Sequence, residues 1–353
     1  MNKPAKRPAI SYKSSGVDIE AKEDVLADME RTLKTDDERV LNSLSAFASL
    51  YDGHFPDYTH PVLVMKTEEP GSKQLLAFQH DRIESVCEDM INHLINDIAV
   101  MGAIPLAVQD AVICGKLEKP IIKRIVAGVA AACSAQGCTL TGGETSEQPG
   151  VIPAGTYILS SNVVGIVEKA NIIDGSTIKT GDVILAVASN GLHTNGYSLV
   201  RKLIKDQPEI VNKKVDHMSF IDAVLLPHLC YFRALKGLFG NKRVHGLAHI
   251  TGSGIEGNLE RVLPTTVNAD VDLAAVNVLP VFDVIREAGD IADAEMLRTY
   301  NMGVGLVIVC EATSAGAIQA HMKKNGHDCY PVGTIVTGTG KVRCSGKVRW
   351  SNR

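Results

Sequence analysis

The chain has 353 residues, of which 45% are hydrophobic and 22% charged, and its formal net charge is −4. This composition excludes a disordered or collagen-like chain, and the length favours two domains over a single core. The negative balance disfavours a nucleic-acid-binding protein with a general basic surface, and no apolar run approaches the roughly 20 residues that span a membrane.

Residues 1–60 are predicted to form an N-terminal arm and lead-in segment. The opening run "MNKPAKRPAISYKSSG" has basic residues but lacks the apolar core of a signal peptide. None of the eight cysteines forms a CxxC pair, so buried thiols are favoured over a metal or disulfide framework. Together these features predict a cytoplasmic protein.

The first regular elements follow this segment. The run "VLVMKT" from Val62 is predicted to be a strand, and "QLLAF" a second one. The run "IESVCEDMINHLINDIAVMGAIP" places apolar residues at helical spacing and ends at Gly102 and Pro105. Within it, Asp89 and Asp97 flank His93 at i, i+4 and i+8, which puts the three side chains on one helical face. We interpret Asp97 as a candidate ligand and His93 as structural.

A second helix is predicted over "KPIIKRIVAGVAAACSAQG", with Pro120 at its start and Gly137 just past its end. A short strand, "CTL", then leads into "LTGGETSEQPG", which is predicted to be a permissive turn because neither a helix nor a strand favours this composition. The run "TYILSSNVVGIVEK" is a further strand that ends near Lys169. We place the domain boundary there, which gives domains at 61–169 and 170–353.

The second half repeats a pattern of strand, glycine-containing loop and helix. It occurs in "DVILAVASNGLHTNGYSLVRKLI" and again in "VHGLAHITGSGIEGNLERVLP". A βαβ-like unit follows in "VGLVIVCE", "AGAIQAHMKKNG" and "YPVGTIV", and "VTGTGKVRCSGKVRW" is predicted to form a terminal hairpin. The predicted fold class is therefore α/β (α+β) with two domains.

Three glycine-rich turns are candidate phosphate sites: Gly142–Glu144, Gly191–Gly196 and Thr251–Gly254. Glycine lets backbone N–H groups approach an anion, and a following helix N-terminus favours negative charge. Simple connections between elements remain an equal alternative. The chain has no P-loop motif.

Acids and histidines beside these turns are the candidate reactive groups. Mg²⁺ on phosphates usually takes one or two carboxylates plus water, and Asp97, Glu144, Glu68 and Glu69 are placed near loops or helix ends. A solvated or capping acid is the alternative for each one. His193 and His249 both follow a strand beside a glycine turn, although lone histidines are more often structural.

Several of these segments resemble, in order and from Tyr12 to about Val336, the phosphoribosylformylglycinamidine cyclo-ligase (AIR synthetase) family of the PurM-like ATP-binding superfamily. The resemblance lies in "SYKSSGVDIEA", "INDIAVMGAIPL", "CGKL", "GCTLTGGETSEQPG", "VVGIVEKANIIDGS", "GLHTNGYSLVRKL", "LAHITGSGIEGNLERVLP" and "TYNMGVGLVIV". Each piece is a weak signal alone, but their joint occurrence is specific.

The resemblance implies ATP-dependent ring closure of formylglycinamidine ribonucleotide to aminoimidazole ribonucleotide, with release of ADP and phosphate. ATP and Mg²⁺ are the implied cofactors and a ribonucleotide the substrate, with no nucleic-acid or membrane partner. The implied fold has an N-terminal mixed-sheet domain that dimerises through its sheet and a C-terminal α/β domain. The site would lie in the cleft between the two domains.

The family motifs also imply roles for individual residues. Those implied to be catalytic are His193, Asn195 and His249. Those implied to bind ATP or phosphate are Lys73, Gly142, Gly143, Thr145, Thr251 and Gly252. Those implied to hold the metal are Asp97, Glu144 and Glu68.

Two loops depart from the family pattern. The family's "TDGVGTK" is "TEEPGSK" here, so Glu68 replaces an aspartate and Glu69 adds a charge, and a glycine-rich family loop is "NSLSAFAS" here. Both departures fall on the ATP-facing side. They leave open a paralogue that binds nucleotide without turnover, and a third alternative is another superfamily enzyme, a small-molecule kinase or a selenophosphate synthetase.

Overall fold

The computed structural model describes residues 36–42 and 46–350. The first part of the predicted arm, with Lys13, and part of the "NSLSAFAS" loop lie outside these residues. Among the described helices, none combines the length and apolar character needed to cross a bilayer.

The strands of the described residues form one four-stranded, one six-stranded and one two-stranded sheet. They are β1 (Pro61–Glu68), β2 (Ile104–Cys114), β3 (Thr139–Glu147), β4 (Tyr157–Glu168), β5 (Val183–Ala188), β6 (Lys214–Val215), β7 (Met218–Ser219), β8 (Val244–His249), β9 (Val267–Asp272), β10 (Val304–Cys310), β11 (Cys329–Thr337) and β12 (Val342–Ser345).

The α-helices are α1 (Lys73–Gln79), α2 (Ile83–Ala99), α3 (Lys119–Gln136), α4 (Tyr197–Asp206), α5 (Phe220–Val224), α6 (Phe232–Lys236), α7 (Gly254–Glu260), α8 (Pro280–Gly289), α9 (Asp293–Thr299) and α10 (Ala315–Lys324). Short 3-10 helices cover Lys169–Asn171, Pro208–Asn212, Leu273–Ala275 and Ala312–Ser314. The predicted helices in the first half are confirmed as α2 and α3, and Gly137 ends α3 with a left-handed φ of 73°.

The N-terminal sheet has the strand order β1-β4-β2-β3. Only the β2–β3 pair is parallel, so the predicted mixed sheet is confirmed. Helices α2 and α3 bury one face of it. Because side chains alternate along a strand, the opposite face carries large exposed apolar residues, namely Leu63 (50% exposed), Met65 (69%) and Ile158 (37%).

The C-terminal sheet has the order β12-β9-β11-β5-β10-β8. Strands β10 and β11 both pair antiparallel with β5, so the predicted βαβ-like unit is present with β5 inserted between its two strands. The predicted terminal hairpin is wrong, because β12 pairs in parallel with β9 rather than with β11. The whole is a mixed α/β fold of two domains, with one main sheet in each half.

The prediction of a strand at "QLLAF" is also wrong. The segment lies in α1, where the buried positions are Lys73, Gln74, Leu76 and Ala77. Their spacing is that of one helical face, and an apolar run this short does not distinguish a helix from a strand.

The stretch "GGET" lies within strand β3, not in a turn. Strand β3 pairs in parallel with β2, with a register shift at Val108/Gln109. A Cβ on Gly143 would collide with the side chain and backbone of Asp110. Close approach to the neighbouring strand therefore explains this glycine, as is common for a glycine inside a strand.

Candidate functional site

Helix α2 presents one polar face to the C-terminal half of the chain. As predicted, the carboxylates and the histidine spaced at i, i+4 and i+8 share this face, and each makes one hydrogen bond across the boundary. The contacts are Asp89 Oδ1 with the His228 backbone N–H (2.7 Å), His93 Nδ1 with Thr194 Oγ1 (2.9 Å) and Asp97 Oδ1 with His249 Nδ1 (2.7 Å).

Four buried imidazoles meet at this boundary, and we call them the histidine cluster: His93, His193, His228 and His249. His228 Nε2 lies 3.0 Å from His249 Nε2. The His193 ring stacks on the His228 ring, with centroids 3.9 Å apart and 20° between the planes. These residues come from α2, from the end of β8 and from the loops after β5 and α5, so the cluster depends on the packing of both halves.

Beside the cluster, two carboxylates converge on one lysine. Lys66 Nζ lies 3.0 Å from Glu68 Oε2 and 2.9 Å from Asp97 Oδ2. Glu68 and Lys66 point the same way because they are two residues apart on β1. We call Glu68 and Asp97 the carboxylate pair, and the His93 Nε2 atom lies 3.9 and 4.0 Å from its two members. Glu69, by contrast, is exposed.

Burial and the carboxylates set the protonation of this region. Burial lowers the pKa of His93 to about 4 and holds the pKa values of His193 and His228 well below their usual range. Burial alone would raise the pKa of Asp97, but the hydrogen bond with His249 and the contact with Lys66 hold it below the usual range. At neutral pH the rings of His93, His193 and His228 are therefore neutral and the Asp97 carboxylate is ionised.

Two of the predicted glycine turns adjoin at the site. A Cβ on Gly252 would lie 3.1 Å from Asn195 Oδ1, so the turn after β8 contacts the loop after β5. His193 and Ser253 both have left-handed backbone conformations, with φ of 62° and 75°, which cost a non-glycine residue energy and are found in clusters at functional sites. The predicted residues His193, Asn195, His249, Thr251 and Gly252 are thus brought together.

Four buried side-chain polar atoms in the loop after β5 have no hydrogen-bond partner among the described residues, and one of them is Asn190 Oδ1. Both ring nitrogens of His193 and the Nδ2 atom of Asn195 have no hydrogen-bond partner among residues 36–42 and 46–350. An unpaired buried donor or acceptor costs about 1–3 kcal/mol. Such atoms are typical of a site where a ligand supplies the partners.

Lys73 is not positioned as predicted. Its side chain is fully buried, and its Nζ lies 2.7 Å from both Asp89 Oδ1 and the Leu226 carbonyl oxygen. Burial lowers the pKa of Lys73 and raises that of Asp89 to about 6. The ammonium is therefore held inside the protein, where it joins α1 and α2 to the C-terminal half, rather than facing a phosphate.

The residues of "GGET" lie at the far edge of the N-terminal sheet. Glu68, Ser161, Asp110 and Gly143 are successive register partners across β1, β4, β2 and β3. At about 4.8 Å per strand, Gly143 is separated from Glu68 by roughly 14 Å. Within one chain, Gly142, Gly143 and the exposed Glu144 therefore do not adjoin the carboxylate pair, and Thr145 is buried opposite Val112.

Sequence reasoning missed four residues of the site: His93, which it interpreted as structural, and Lys66, Thr194 and His228. His93 carried a signal, since it shares a helical face with Asp97. Lys66 alternates with Glu68 along β1, which also places the two on one side. His228 stands in no motif, and only the folded chain brings it to His249.

Two family models match the chain. One, described as "AIR synthase related protein, N-terminal domain", matches residues 57–167, and the other, "AIR synthase related protein, C-terminal domain", matches residues 179–345. The two matched ranges contain the N-terminal sheet, apart from the last residue of β4, and the C-terminal sheet.

Curated relatives match over nearly the full length. The chain is 40% identical over 344 residues to a phosphoribosylformylglycinamidine cyclo-ligase of Methylobacillus flagellatus, covering 96% of this chain and 98% of the relative. A protein of the same name from Nitrosococcus oceani is 37% identical over 337 residues, covering 95% and 94%.

Solved structures share the fold. A thiamine-monophosphate kinase from Stenotrophomonas maltophilia superposes with a TM-score of 0.67 at 16% identity, covering 92% of this chain and 97% of that one. The hydrogenase maturation protein HypE in complex with ATP gives a TM-score of 0.64 at 18% identity, covering 92% and 90%. Given the family models and the full-length relatives, this chain belongs to the AIR synthase related protein family.

Proposed function

We propose that this protein is a phosphoribosylformylglycinamidine cyclo-ligase of purine biosynthesis. It would use ATP to close the ring of formylglycinamidine ribonucleotide, giving aminoimidazole ribonucleotide, ADP and phosphate. The full-length identity to relatives of that name supports the proposal. The observation that carries it is the placement of Asp97 and His249 beside His193 and Asn195. The two ring nitrogens of His193 and the Nδ2 atom of Asn195 are buried without a partner among the described residues.

The chemistry proceeds in two steps. ATP first transfers its terminal phosphoryl group to the formamide oxygen, because an amide oxygen is a poor leaving group until it is esterified. An amidine nitrogen then attacks the same carbon, loses a proton, and phosphate leaves. His193 is the candidate to accept that proton, since neither of its ring nitrogens has a hydrogen-bond partner among the described residues.

The carboxylate pair has the right donors for Mg²⁺. Glu68 Oε2 and Asp97 Oδ2 already converge on a single cation, the Lys66 ammonium, and Mg²⁺ on phosphates is commonly held by one or two carboxylates. We therefore assign Glu68 and Asp97 as its protein ligands. When bound, the ion would neutralise charge on the phosphates of ATP.

We propose further that two copies associate through the N-terminal sheet. Its open face exposes Leu63, Met65 and Ile158, and exposed apolar patches commonly mark interfaces. Glu144 lies in β3 at the opposite edge of this sheet from Glu68. A second copy is the means by which Glu144 of one chain would reach the carboxylate pair of another.

The remaining parts of the proposal concern organisation. The domains are proposed at 61–169 and 170–353, with residues 1–60 as an arm and lead-in segment. A ribonucleotide is the proposed substrate, and a cytoplasmic location follows from a role in purine biosynthesis.

The test is phosphate release from ATP with and without formylglycinamidine ribonucleotide, together with detection of the aminoimidazole product. Substrate-dependent ADP, phosphate and product in equal amounts are expected, and Asp97→Asn should abolish turnover while leaving the fold intact. A folded wild-type protein that binds the ribonucleotide without turnover would instead support a binding-only paralogue. Lys66 is the observation that favours this second candidate, because it occupies the carboxylate pair.

A mixing experiment tests the shared site. Asp97→Asn and Glu144→Gln proteins, each inactive alone, are mixed and allowed to exchange subunits. If each site takes Asp97 from one chain and Glu144 from the other, mixed dimers keep one intact site, and about a quarter of the wild-type activity should return. If activity does not return although subunit exchange is proven, no active site combines Asp97 of one chain with Glu144 of the other, and each residue acts within its own chain.

A further inference from the structure

We propose that His193, His228 and His249 form a binding site for a late first-row divalent metal ion such as Zn²⁺, chemically distinct from the Mg²⁺ site at the carboxylate pair. The three side chains are between 1% and 6% exposed. The site shares His193 and His249 with the proposed catalytic residues, but the inference rests on the geometry of the three rings and not on the activity.

The spacing of the ring nitrogens suits a single ion. One nitrogen from each of the three rings can be chosen so that all lie within 4.8 Å of one another. His228 Nε2 and His249 Nε2 are 3.0 Å apart. Two imidazoles on a tetrahedral ion with bonds of 2.0–2.1 Å would hold their nitrogens about 3.3 Å apart, so this pair is already close to the required separation.

His249 is oriented as a metal ligand would be. Its Nδ1 lies 2.7 Å from Asp97 Oδ1, and because a carboxylate only accepts, this nitrogen donates and leaves the Nε2 lone pair directed at His228. A carboxylate behind a ligating histidine is the usual arrangement in metal sites. In the chain alone, the His228 Nε2–H group donates a hydrogen bond to His249 Nε2. To bind an ion between the rings, His228 takes the tautomer with its proton on Nδ1, which lies 3.5 Å from Thr194 Oγ1, so both Nε2 lone pairs face the ion.

His193 supplies the independent observation. Its side chain is 1% exposed, yet neither ring nitrogen has a partner among the described residues. Buried polar atoms without partners call for an explanation, and an ion is one. The ring lies flat against His228, so binding requires it to turn about its Cβ–Cγ bond, a rotation that no hydrogen bond to the described residues opposes.

The donor chemistry selects the class of metal. Neutral imidazoles suit Zn²⁺, Cu²⁺ and Ni²⁺, whereas Mg²⁺ prefers oxygen. Burial lowers the pKa values of His193 and His228, which keeps their lone pairs available at neutral pH. The neighbouring set of His93, Asp97 and His249 offers one imidazole fewer, and Lys66 already contacts its carboxylate.

The experiment is a Co²⁺ titration of the whole protein, followed by the visible absorption of the bound ion, in excess Mg²⁺ and without substrate. The wild type is expected to give the intense bands of a four-coordinate nitrogen site, which Zn²⁺ then displaces. His228→Asn and His193→Asn should each weaken Co²⁺ binding about tenfold or more. His217→Asn, at an exposed histidine outside the cluster, is the matched control and should bind as the wild type does.

Unchanged Co²⁺ affinity in His228→Asn would overturn the proposal. So would a loss confined to His93→Asn, since the ion would then lie at the set that includes Asp97. Thermal unfolding without metal identifies a variant that fails to fold, and His193→Asn then serves as the test. Because no turnover is measured, the outcome is independent of whether the cyclo-ligase reaction is found.

Discussion

Lys66 gives this site a cation of its own. Its ammonium contacts Glu68 and Asp97 at 3.0 and 2.9 Å. Burial would lower the pKa of Lys66, but the hydrogen bonds to the two carboxylates raise it overall. The lysine therefore stays charged at neutral pH and competes with a divalent ion for the same oxygens.

Replacing this lysine should make Mg²⁺ bind more easily. In Lys66→Met the carboxylate pair loses its competing charge, so the Mg²⁺ concentration for half-maximal activity should fall by roughly tenfold. The measurement is turnover against Mg²⁺ at fixed ATP, with Lys169→Met, an exposed lysine after β4, as the control. A higher Mg²⁺ requirement would mean that Lys66 binds the phosphates directly.

The two acids of "TEEPGSK" should differ in effect. Glu68 and Asp97 both contact the Lys66 ammonium, whereas Glu69 is exposed. Glu68→Ala should weaken Mg-ATP binding by about tenfold or more, and Glu69→Ala by less than about twofold. Calorimetric titration with Mg-ATP measures both, and the opposite ranking would show that Glu69 is the metal ligand.

Among individual residues, the sequence identified those that lie in local motifs. His193, Asn195 and His249 each lie beside a glycine turn, and these turns do meet. Lys73 was misplaced because its motif says nothing of the buried Asp89 that pairs with it. His228 could not be found, because its contact with His249 depends on tertiary packing alone.

Among the elements, α2 and α3 were predictable because their apolar spacing and end signals agree. The "GGET" part of strand β3 was not, since Gly143 makes a close contact with β2 that local sequence does not encode. The pairing of β12 with β9 likewise depends on the position of a distant strand. The type of an element could thus be predicted where its apolar residues are periodic, whereas the pairing of strands could not.

Strand β2 carries Asp110, and ionisation of this buried carboxyl group should lower the free energy of unfolding. Burial raises the pKa of Asp110 to about 7, above the value of ~3.9 in an unfolded chain. Between these values the folded state holds a proton that the unfolded state has lost, so stability falls as pH rises from about 4 to 7.

Asp110→Asn should therefore stabilise the protein mainly at high pH. We expect the free energy of unfolding to increase by about 2 kcal/mol at pH 8 and by less towards pH 5. Solvent screens the partly exposed carboxyl group and limits the increase. Urea unfolding at the two pH values measures it, with the exposed Asp57→Asn as control. An equal gain at both pH values would show that charge is not the cause.

For the whole molecule, α2 is a main element that joins the two halves. Asn92 Nδ2 donates to the His228 carbonyl at 2.7 Å, and Asn96 bonds both the Leu229 carbonyl and the Tyr231 N–H at 2.8 Å. With the Lys73 ammonium beside them, these contacts fix the loop that carries His228. The geometry of the site thus depends on the packing of the N-terminal half against the C-terminal half.

Association through the open sheet face can be tested by one charge. Met65 is 69% exposed on that face, and Met65→Glu would bury a carboxylate in the proposed interface, which is strongly unfavourable. Sedimentation should show a dimer for the wild type and a monomer for Met65→Glu. Val151→Glu, at a 77% exposed site outside the strands, should stay dimeric, and a dimeric Met65→Glu protein would exclude this face.

Strand β5 lies between β11 and β10 in the C-terminal sheet. Strand β5 is synthesised before helices α4 to α9, and its two partner strands, β10 and β11, are synthesised after them. Pairings this distant in sequence are slow, because loop closure precedes any gain from contact. The nascent chain must therefore carry an apolar strand with two bare edges through most of the synthesis of this half, the interval in which a chaperone would have most to protect.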